Sequence, residues 1–330
     1  MTYTFLPWHN IPQAQKDELL SSWLTRIAHS YHINLKELLS KHFTEYALYY
    51  KDIDLTRIDT FILNKLSYLT QISTTKLLNM QLLHLEGTIQ KFIHAETRNK
   101  WIITSSCNTN LKIRKSMCLR ICPLCLKEHH YYHKNSKLLF INTCRKHHVY
   151  LIDSCQQCAS PILPMKITPP KKIYQCFKCG YDLRRSSITI AFQEDIDTTL
   201  FLKYTLQQDF ISHYNNKIST LDYFTVLYLI CKNLHKHFPE DEVFKAASKI
   251  NRFKKLQSPY LLYQPIPYLA QIISLGHHLI FEEWEGELLH FIKRNKLMYA
   301  SQLLNKYTNV NYKIPSWFYT HMKKLWTSTN

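Results

Sequence analysis

The sequence predicts a mostly α-helical protein with a cysteine-rich segment between two helical segments. Apolar residues recur at helical spacing at both ends of the chain, and only 4 of the 330 residues are glycine. Nine of the ten cysteines lie between positions 107 and 179, where short runs are punctuated by prolines. Small loop-rich modules of this kind depend on bound metal more than on a large apolar core. We therefore expect domain boundaries near residues 100 and 190.

The N-terminal segment, residues 1–100, predicts short helices in pairs. An apolar stripe over residues 17–31 defines the first helix, and Asn34 is the expected N-cap of the second. A second pair follows over residues 61–80, divided before Ser73, which caps its second helix. Helices paired through a tight turn form a helix-turn-helix unit, which often binds DNA. Because no face here is rich in arginine, asparagine or glutamine, we favour packing between the helices over DNA binding.

Beyond residue 100 the pattern changes twice. Strand-like runs occur at residues 138–141 and 172–175. The helical period then returns, and the expected helices span residues 198–214, 221–237, 267–294 and 315–326.

The charge-free stretch at residues 256–281 has three prolines in its first half, so we interpret it as a buried helix and not as a membrane span. The first ten residues lack the basic start and apolar run of an export signal.

Four pairs of metal-ligand residues, each separated by two positions, occur in order in the cysteine-rich segment. They are Cys122 and Cys125, Cys144 and His147, Cys155 and Cys158, and Cys176 and Cys179. A turn of this kind holds two ligands about one tetrahedral edge apart, so two pairs complete the shell of a Zn²⁺ ion. Taken in order, the pairs predict a Cys₃His site and a Cys₄ site, with gaps of 18 and 17 residues inside them. We expect two structural zinc ions per chain.

The ligand assignment leaves alternatives open. His148 could replace the histidine before it, and Cys118 is a rival first ligand at poorer spacing. Interleaved pairing, in which the first pair joins the third, is an alternative that the sequence alone leaves open. Gly180, directly after the last pair, suits the positive φ that such turns need. We expect Cys107 and Cys231 to be buried as small apolar side chains.

The same segment argues against an enzyme. A catalytic zinc keeps an open coordination position beside an acid or a base, whereas both predicted shells are full. The segment has only three acidic residues, which are Glu128, Asp153 and Asp182. The chain also has no glycine-rich phosphate loop, no Gly-x-Ser-x-Gly and no His-Glu-x-x-His motif. We therefore expect no catalytic residues.

Positive charge is concentrated in the cysteine-rich segment. Residues 101–190 hold 15 lysines and arginines against 3 acidic residues, which is most of the chain's net charge of +18. Zinc-bound thiolates reduce this excess without removing it. A nucleic acid or another polyanion is therefore favoured as a partner over a merely solvated surface. The candidate contacts are Arg114, Lys115, Lys171, Lys172, Lys178, Arg184 and Arg185.

Taken together, these motifs resemble the TniQ/TnsD family of transposon target-selection proteins. The resemblance rests on Asp17–Ala28, on residues 66–70 and 77–80, on Arg120–Leu126, and on the ligand pairs that follow, with Leu151 between the second and third. It covers roughly residues 5–180 of the chain. It implies a helix-turn-helix domain at residues 1–100, a tandem zinc-binding module at residues 101–190 and a C-terminal helical domain at residues 191–330.

The resemblance also implies a function. Such proteins choose the insertion site for a transposon and pass it to a AAA+ ATPase regulator, which recruits the transposase. Short members ride on an RNA-guided Cascade-type complex of a CRISPR system, often as dimers, whereas TnsD members bind attachment-site DNA directly. We favour the RNA-guided adaptor; a TnsD-type DNA binder and a stand-alone zinc-ribbon DNA-binding regulator are the alternatives. This role places the protein at the nucleoid in the prokaryotic cytoplasm.

Overall fold

The computed structural model describes residues 6–43, 48, 51–95, 99–105, 118–213, 216–237, 261 and 264–281. The chain divides into two compact units. The first comprises residues 1–86 and 92–191, and the second comprises residues 87–91 and 192–330. The N-terminal helices and the cysteine-rich segment thus lie within the same unit. The three-domain division, with its boundary at residue 100, stays a prediction.

Four short helices form the N-terminal part of the first unit. They are α1 (Leu20–Ser30), α2 (Leu35–His42), α3 (Thr60–Thr70) and α4 (Thr74–Asn79). Asn34 caps α2 by accepting a hydrogen bond from the N–H of Glu37 at 2.9 Å, and Ser73 caps α4 in the same way. Both predicted caps are confirmed. The first helix begins later than predicted, because Asp17 takes a left-handed conformation with φ of 56°.

The apolar faces of these four helices share one core. Trp23 of α1 is fully buried, and its indole N–H donates to the carbonyl of Pro12 at 2.7 Å. Leu66 brings α3 and Leu77 brings α4 onto the same core, and Met165 of the cysteine-rich segment packs there as well. Packing between the helices, the favoured interpretation, is therefore confirmed.

The cysteine-rich segment has little regular structure. Its elements are α5 (Pro123–Glu128), β1 (Thr143–Cys144) and β2 (Val149–Tyr150), with 3₁₀ turns at Lys134–Lys137, Pro164–Lys166 and Leu183–Arg185. β1 and β2 pair antiparallel. The strands predicted at residues 138–141 and 172–175 are wrong. Within the described residues each run makes one isolated bridge, at Leu138 and at Gln175, so neither has a partner strand along its length.

The described part of the second unit combines helices with one hairpin. Its elements are α6 (Gln193–Thr205), β3 (Phe210–His213), β4 (Asn216–Ser219), α7 (Thr220–His237) and α8 (Ile266–Phe281). The helix predicted at residues 198–214 is wrong beyond Thr205, because β3 pairs antiparallel with β4. That pairing places Ile211 opposite Ile218, and both side chains are buried. The helix predicted at residues 221–237 is confirmed by α7.

α7 and α8 approach each other closely at Gly276. A Cβ at this glycine would lie 2.9 Å from Sγ of Cys231, which is buried as predicted. α8 confirms the helix predicted from residue 267 as far as Phe281; the rest of it, and the helix predicted at 315–326, lie outside the described residues. In the described part of the chain, no helix is long and apolar enough to cross a membrane. The mostly α-helical class is confirmed.

Candidate metal centres and the basic surface

The four predicted ligand pairs come together as two clusters. The first contains Cys122, Cys125, Cys144 and His147, and the second contains Cys155, Cys158, Cys176 and Cys179. Within each cluster the four ligand atoms, a Sγ or a ring nitrogen, lie within 4.8 Å of one another. The pairs therefore combine in sequence order, and the structure does not adopt the interleaved arrangement.

The spacings are those of a tetrahedral metal shell. In the first cluster, Sγ of Cys125 lies 3.5 Å from Sγ of Cys144 and 3.3 Å from Nδ1 of His147. In the second, Sγ of Cys158 lies 3.6 Å from Sγ of Cys176. Ligands held at about 2.0–2.3 Å from one tetrahedral ion are about 3.3–3.8 Å apart, whereas a disulfide brings two sulfurs to about 2.05 Å. Each cluster therefore fits one four-coordinate metal ion.

A common backbone turn positions three of the four pairs. In each, the N–H four residues after the first ligand donates to the carbonyl of that ligand. The donors are His148, Ala159 and Gly180, at 2.8, 2.8 and 2.9 Å, and their φ angles are 52°, 54° and 77°. The positive φ reverses the chain, so that both ligands of a pair face the same point. Only Gly180 signals this turn in the sequence, because left-handed conformations favour glycine.

The first ligand pair is built on a helix. Cys122 is the N-cap of α5, and Pro123 is the first helical residue, where its fixed φ suits the helix. The N–H of Leu126 donates to the carbonyl of Cys122 at 3.0 Å, which closes the first turn. Cys125 therefore lies about one helical turn from Cys122, on the same side.

The alternative ligands lie elsewhere. His148 is exposed and is not part of the first cluster. Cys118 is 2% exposed and belongs to neither cluster. Cys107 lies outside the described residues. The imidazole that joins the first cluster is that of His147.

A carboxylate supports the imidazole of His147 from outside the cluster. Nδ1 of His147 faces the thiols, and its Nε2 lies 3.2 Å from Oε1 of Glu128. Lys146 hydrogen-bonds to the same carboxylate and holds the pKa of Glu128 below its ordinary value. A carboxylate on the outer nitrogen of a metal-binding histidine fixes the orientation and tautomer of the ring. The sequence offered no signal for this role of Glu128.

Two of the predicted nucleic-acid contacts are engaged within the protein. Nζ of Lys171 donates to two backbone carbonyls in the turn of the fourth ligand pair, at 2.7 and 3.3 Å. The guanidinium of Arg184 donates to both carboxylate oxygens of Asp182 and lies 3.6 Å from the ring centre of Tyr174. These side chains therefore stabilise the second cluster and its surroundings.

The remaining predicted contacts differ in their placement. Lys172, Lys178 and Arg185 are exposed, so their charges face solvent. Arg114 and Lys115 lie outside the described residues. Two further exposed cations of the same segment, which the sequence did not single out, are Lys127 and Arg145. Contact of any of these side chains with nucleic acid stays a prediction.

A buried ionic group, missed from the sequence, joins the N-terminal helices to the cysteine-rich segment. Nζ of Lys137 lies 2.5 Å from Oδ1 of Asp52 and 2.7 Å from Oδ2 of Asp54, and all three side chains are fully buried. Ser21 donates its N–H and its hydroxyl to Asp54, and the N–H of Ser105 donates to Asp52. Burial raises the pKa of Asp52 to about 6, although Lys137 opposes that rise. A lysine directly before a long apolar run is the one signal of this group in the sequence.

The N-terminal motif at residues 17–28 makes a second junction. The carboxylate of Glu18 accepts hydrogen bonds from Ser22 at 2.9 Å and from Arg26 at 2.7 Å. The hydroxyl of Ser22 in turn accepts the N–H of Tyr132, whose carbonyl accepts the N–H of Leu19. Burial raises the pKa of Glu18. The polar side chains of this motif therefore hold α1 against the cysteine-rich segment.

One family model matches this chain. It is described as TniQ, and it matches residues 10–151. The matched range contains α1 to α5, the buried ionic group and the first metal cluster, and it ends before Cys155, the first ligand of the second cluster. No curated protein matches the sequence.

Proposed function

We propose that this chain, which matches a TniQ family model over residues 10–151, acts as a non-catalytic target-selection adaptor in transposition. The motifs of the chain also resemble those of the TniQ/TnsD family, which implies a role in target selection. In the proposed role the chain links a target-recognition device to a AAA+ regulator, which recruits the transposase. The recognition device is an RNA-guided Cascade-type complex, and a second copy of this chain is a further proposed partner.

The observation that carries this proposal is the match of residues 10–151, which apart from residues 87–91 belong to one compact unit. Lys137 binds Asp52 and Asp54 across the helical and cysteine-rich segments, and Tyr132 binds Leu19 in the same way. An adaptor must hold its partners at a fixed separation, and sites carried by a rigid scaffold do so better than sites on mobile loops. This continuity supports a connecting role.

We infer that both clusters bind Zn²⁺. Three thiolates with one imidazole, and four thiolates, are soft donor sets in tetrahedral arrangement, which is the combination typical of structural zinc. The ion completes the fold of the segment around it and takes no part in a reaction, because four protein ligands leave no open position. Glu128 would orient His147 toward the ion in the first site.

A second candidate function is direct recognition of attachment-site DNA, as in TnsD proteins. The exposed side chains of Lys172, Lys178 and Arg185 favour it, because they can bind phosphates without breaking internal contacts. A stand-alone zinc-ribbon regulator would share this surface but would need no AAA+ partner.

A reconstituted insertion assay separates these functions. Transposase, AAA+ regulator and RNA-guided complex are supplied, and this protein is added or omitted. We expect site-specific insertion to require the protein, while untargeted insertion driven by the regulator persists without it. Targeted insertion at a fixed DNA site in the absence of the RNA-guided complex would favour the direct DNA binder. Targeting that survives omission of the protein would contradict both transposition roles.

A further inference from the structure

The loop at residues 129–133, directly after α5, is held rigidly against the protein by its buried tyrosine. Tyr132 is 1% exposed, and its hydroxyl donates to the carbonyl of Ile173 at 2.9 Å. Its N–H donates to the hydroxyl of Ser22 at 3.0 Å, and its carbonyl accepts the N–H of Leu19 at 2.9 Å. Three hydrogen bonds fix the loop, two to the start of α1 and one to Ile173, so the backbone on either side of Tyr132 is held in place at the surface.

Five rings lie along this loop in two contact groups. The first group is His129, Tyr131 and His133, the second is His130 and Tyr174, and together they are called the ring surface below. The two histidines that begin it are exposed, and the other three rings are half-buried. The ring centres of Tyr131 and His133 are 4.7 Å apart, and those of His130 and Tyr174 are 4.9 Å apart. A group of flat rings at the surface provides faces on which another flat group can stack.

Cations surround the ring surface. Arg184 places Nη1 3.2 Å from Nε2 of His130 and its guanidinium over Tyr174. α5 packs against the 3₁₀ turn that carries Arg184, and these two elements present the exposed cations Lys127 and Arg185. Burial and the neighbouring Arg184 lower the pKa of His130. The rings of His130 and Tyr174 thus lie directly beside positive charge.

The acidic side chains of these elements do not oppose an anionic ligand. Glu128 forms an ion pair with Lys146, and Asp182 forms one with Arg184. These two carboxylates are thereby compensated within the protein. Near Tyr131, Glu18 pairs with Arg26, and Asp17 places a further carboxylate nearby. The combination of ring faces with exposed lysine and arginine side chains is the one that recognises bases on a phosphate backbone.

We propose that the ring surface binds unpaired bases of a single-stranded nucleic acid, with Lys127 and Arg185 close to its phosphates. In a duplex the base faces are stacked on one another and only the base edges and phosphates are accessible, so a group of rings gains nothing from it. Unpaired bases have free faces, and stacking on a protein ring tolerates any base. The inference rests on the proposed contact between the cysteine-rich segment and nucleic acid, and it specifies the strandedness of that partner.

The test compares three labelled probes of equal phosphate number by fluorescence anisotropy with the full chain. They are a mixed-sequence single strand, the same strand without bases, and a hairpin duplex. We expect the base-bearing single strand to bind more tightly than the abasic strand. Tyr131→Ala and His130→Ala should each weaken binding to the base-bearing strand about 5-fold to 100-fold and leave abasic-strand binding unchanged. Deoxyribose and ribose strands, tested in parallel, show which sugar the bound strand carries.

Matched variants separate ring loss from unfolding. Tyr131→Phe and His130→Phe keep a ring and should retain the preference for bases. His9→Ala is the control for loss of an exposed imidazole. The carbonyl of His9 accepts a hydrogen bond from Tyr31 at the far end of α1, so this variant should bind all three probes as wild type does. Equal affinity for base-bearing and abasic strands would refute the proposal that the ring surface binds bases. Unchanged affinity in both alanine variants would refute it as well. Either result would still allow a contact with duplex DNA that depends on charge alone. Binding to none of the probes would refute the proposed nucleic-acid contact itself. The adaptor role is tested separately by the insertion assay.

Discussion

Nζ of Lys137 lies 2.7 Å from Oδ2 of Asp54, and neither side chain has any exposed surface. Lys137 belongs to the cysteine-rich segment, whereas Asp54 precedes α3 in the helical segment. The N–H of Ser21, in the first turn of α1, donates to the same carboxylate at 2.8 Å. This ion pair therefore joins two segments whose sequences look like independent modules.

Replacement of Lys137 should destabilise the whole first unit. In Lys137→Met the carboxylates of Asp52 and Asp54 remain buried without their cation, which typically costs about 3–5 kcal/mol. We expect a lower midpoint in urea for the helical and the cysteine-rich segments together. Lys127→Met is the matched control, because Lys127 is exposed and its loss should change stability by about 0.5 kcal/mol or less. A Lys137→Met protein as stable as this control would show that the ionic group does not join the segments.

The stability contributed by Asp52 should decrease as the pH rises. Its ordinary pKa is 3.8, and burial raises the folded value to about 6, so the folded protein holds this proton more tightly than the unfolded chain. The contribution is therefore complete below the ordinary pKa and is lost as the pH rises through the folded one. The free energy of unfolding, measured in urea between pH 4 and pH 7, should decline more in wild type than in Asp52→Asn. A free energy of unfolding that declines no more steeply with pH in wild type than in Asp52→Asn would contradict the raised pKa.

Each metal cluster should bind its ion independently of the other cluster. Cys176→Ser removes one ligand of the second cluster, so metal analysis of the reduced protein should find one zinc ion per chain, whereas wild type should hold two. The control is Cys231→Ala, which removes a buried cysteine outside both clusters and should keep both ions. Retention of two ions by Cys176→Ser would refute the four-ligand assignment.

Glu128 should tune the first metal site without binding the ion. Its carboxylate lies 3.2 Å from the outer nitrogen of His147, and loss of such a partner typically weakens metal binding about 10-fold to 100-fold. Competition with a chelator should therefore remove zinc from the first site of Glu128→Gln more readily than from wild type. Glu37→Gln, which changes an exposed carboxylate on α2, is expected to behave as wild type. Equal metal affinity in both variants would show that Glu128 does not support the first metal site.

Salt dependence should identify the cations that bind nucleic acid. The slope of log affinity against log salt changes by about 0.9 for each phosphate that the protein no longer binds. Joint replacement of Lys172, Lys178 and Arg185 by alanine should flatten the slope for duplex DNA, whereas Lys171 and Arg184 are left in place because they hold the fold. An equal charge change in the N-terminal helices, at Lys36, Lys41 and Lys76, provides the control. Identical slopes for the two triple variants would place the DNA-binding surface elsewhere.

The ligand pairs are the part of this protein that the sequence by itself determined. Each pair spans four residues, and the N–H that closes its turn belongs to the very next residue, as Gly180 shows for Cys176 and Cys179. The caps of α2 and α4 at Asn34 and Ser73 are equally local. Interactions within four or five residues depend on neighbours in the chain, and a pattern of residue types is enough to indicate them.

Tertiary structure decided which distant residues became partners. Lys137 and Asp52 are 85 positions apart, and Arg184 meets His130 across 54. Residues 210–213 continue a helical pattern, yet they form β3 because Ile211 is buried opposite Ile218 only in the hairpin. Burial and hydrogen-bond partners depend on contacts between segments that are far apart in sequence. A local pattern of residue types does not indicate which distant segment will pack against it.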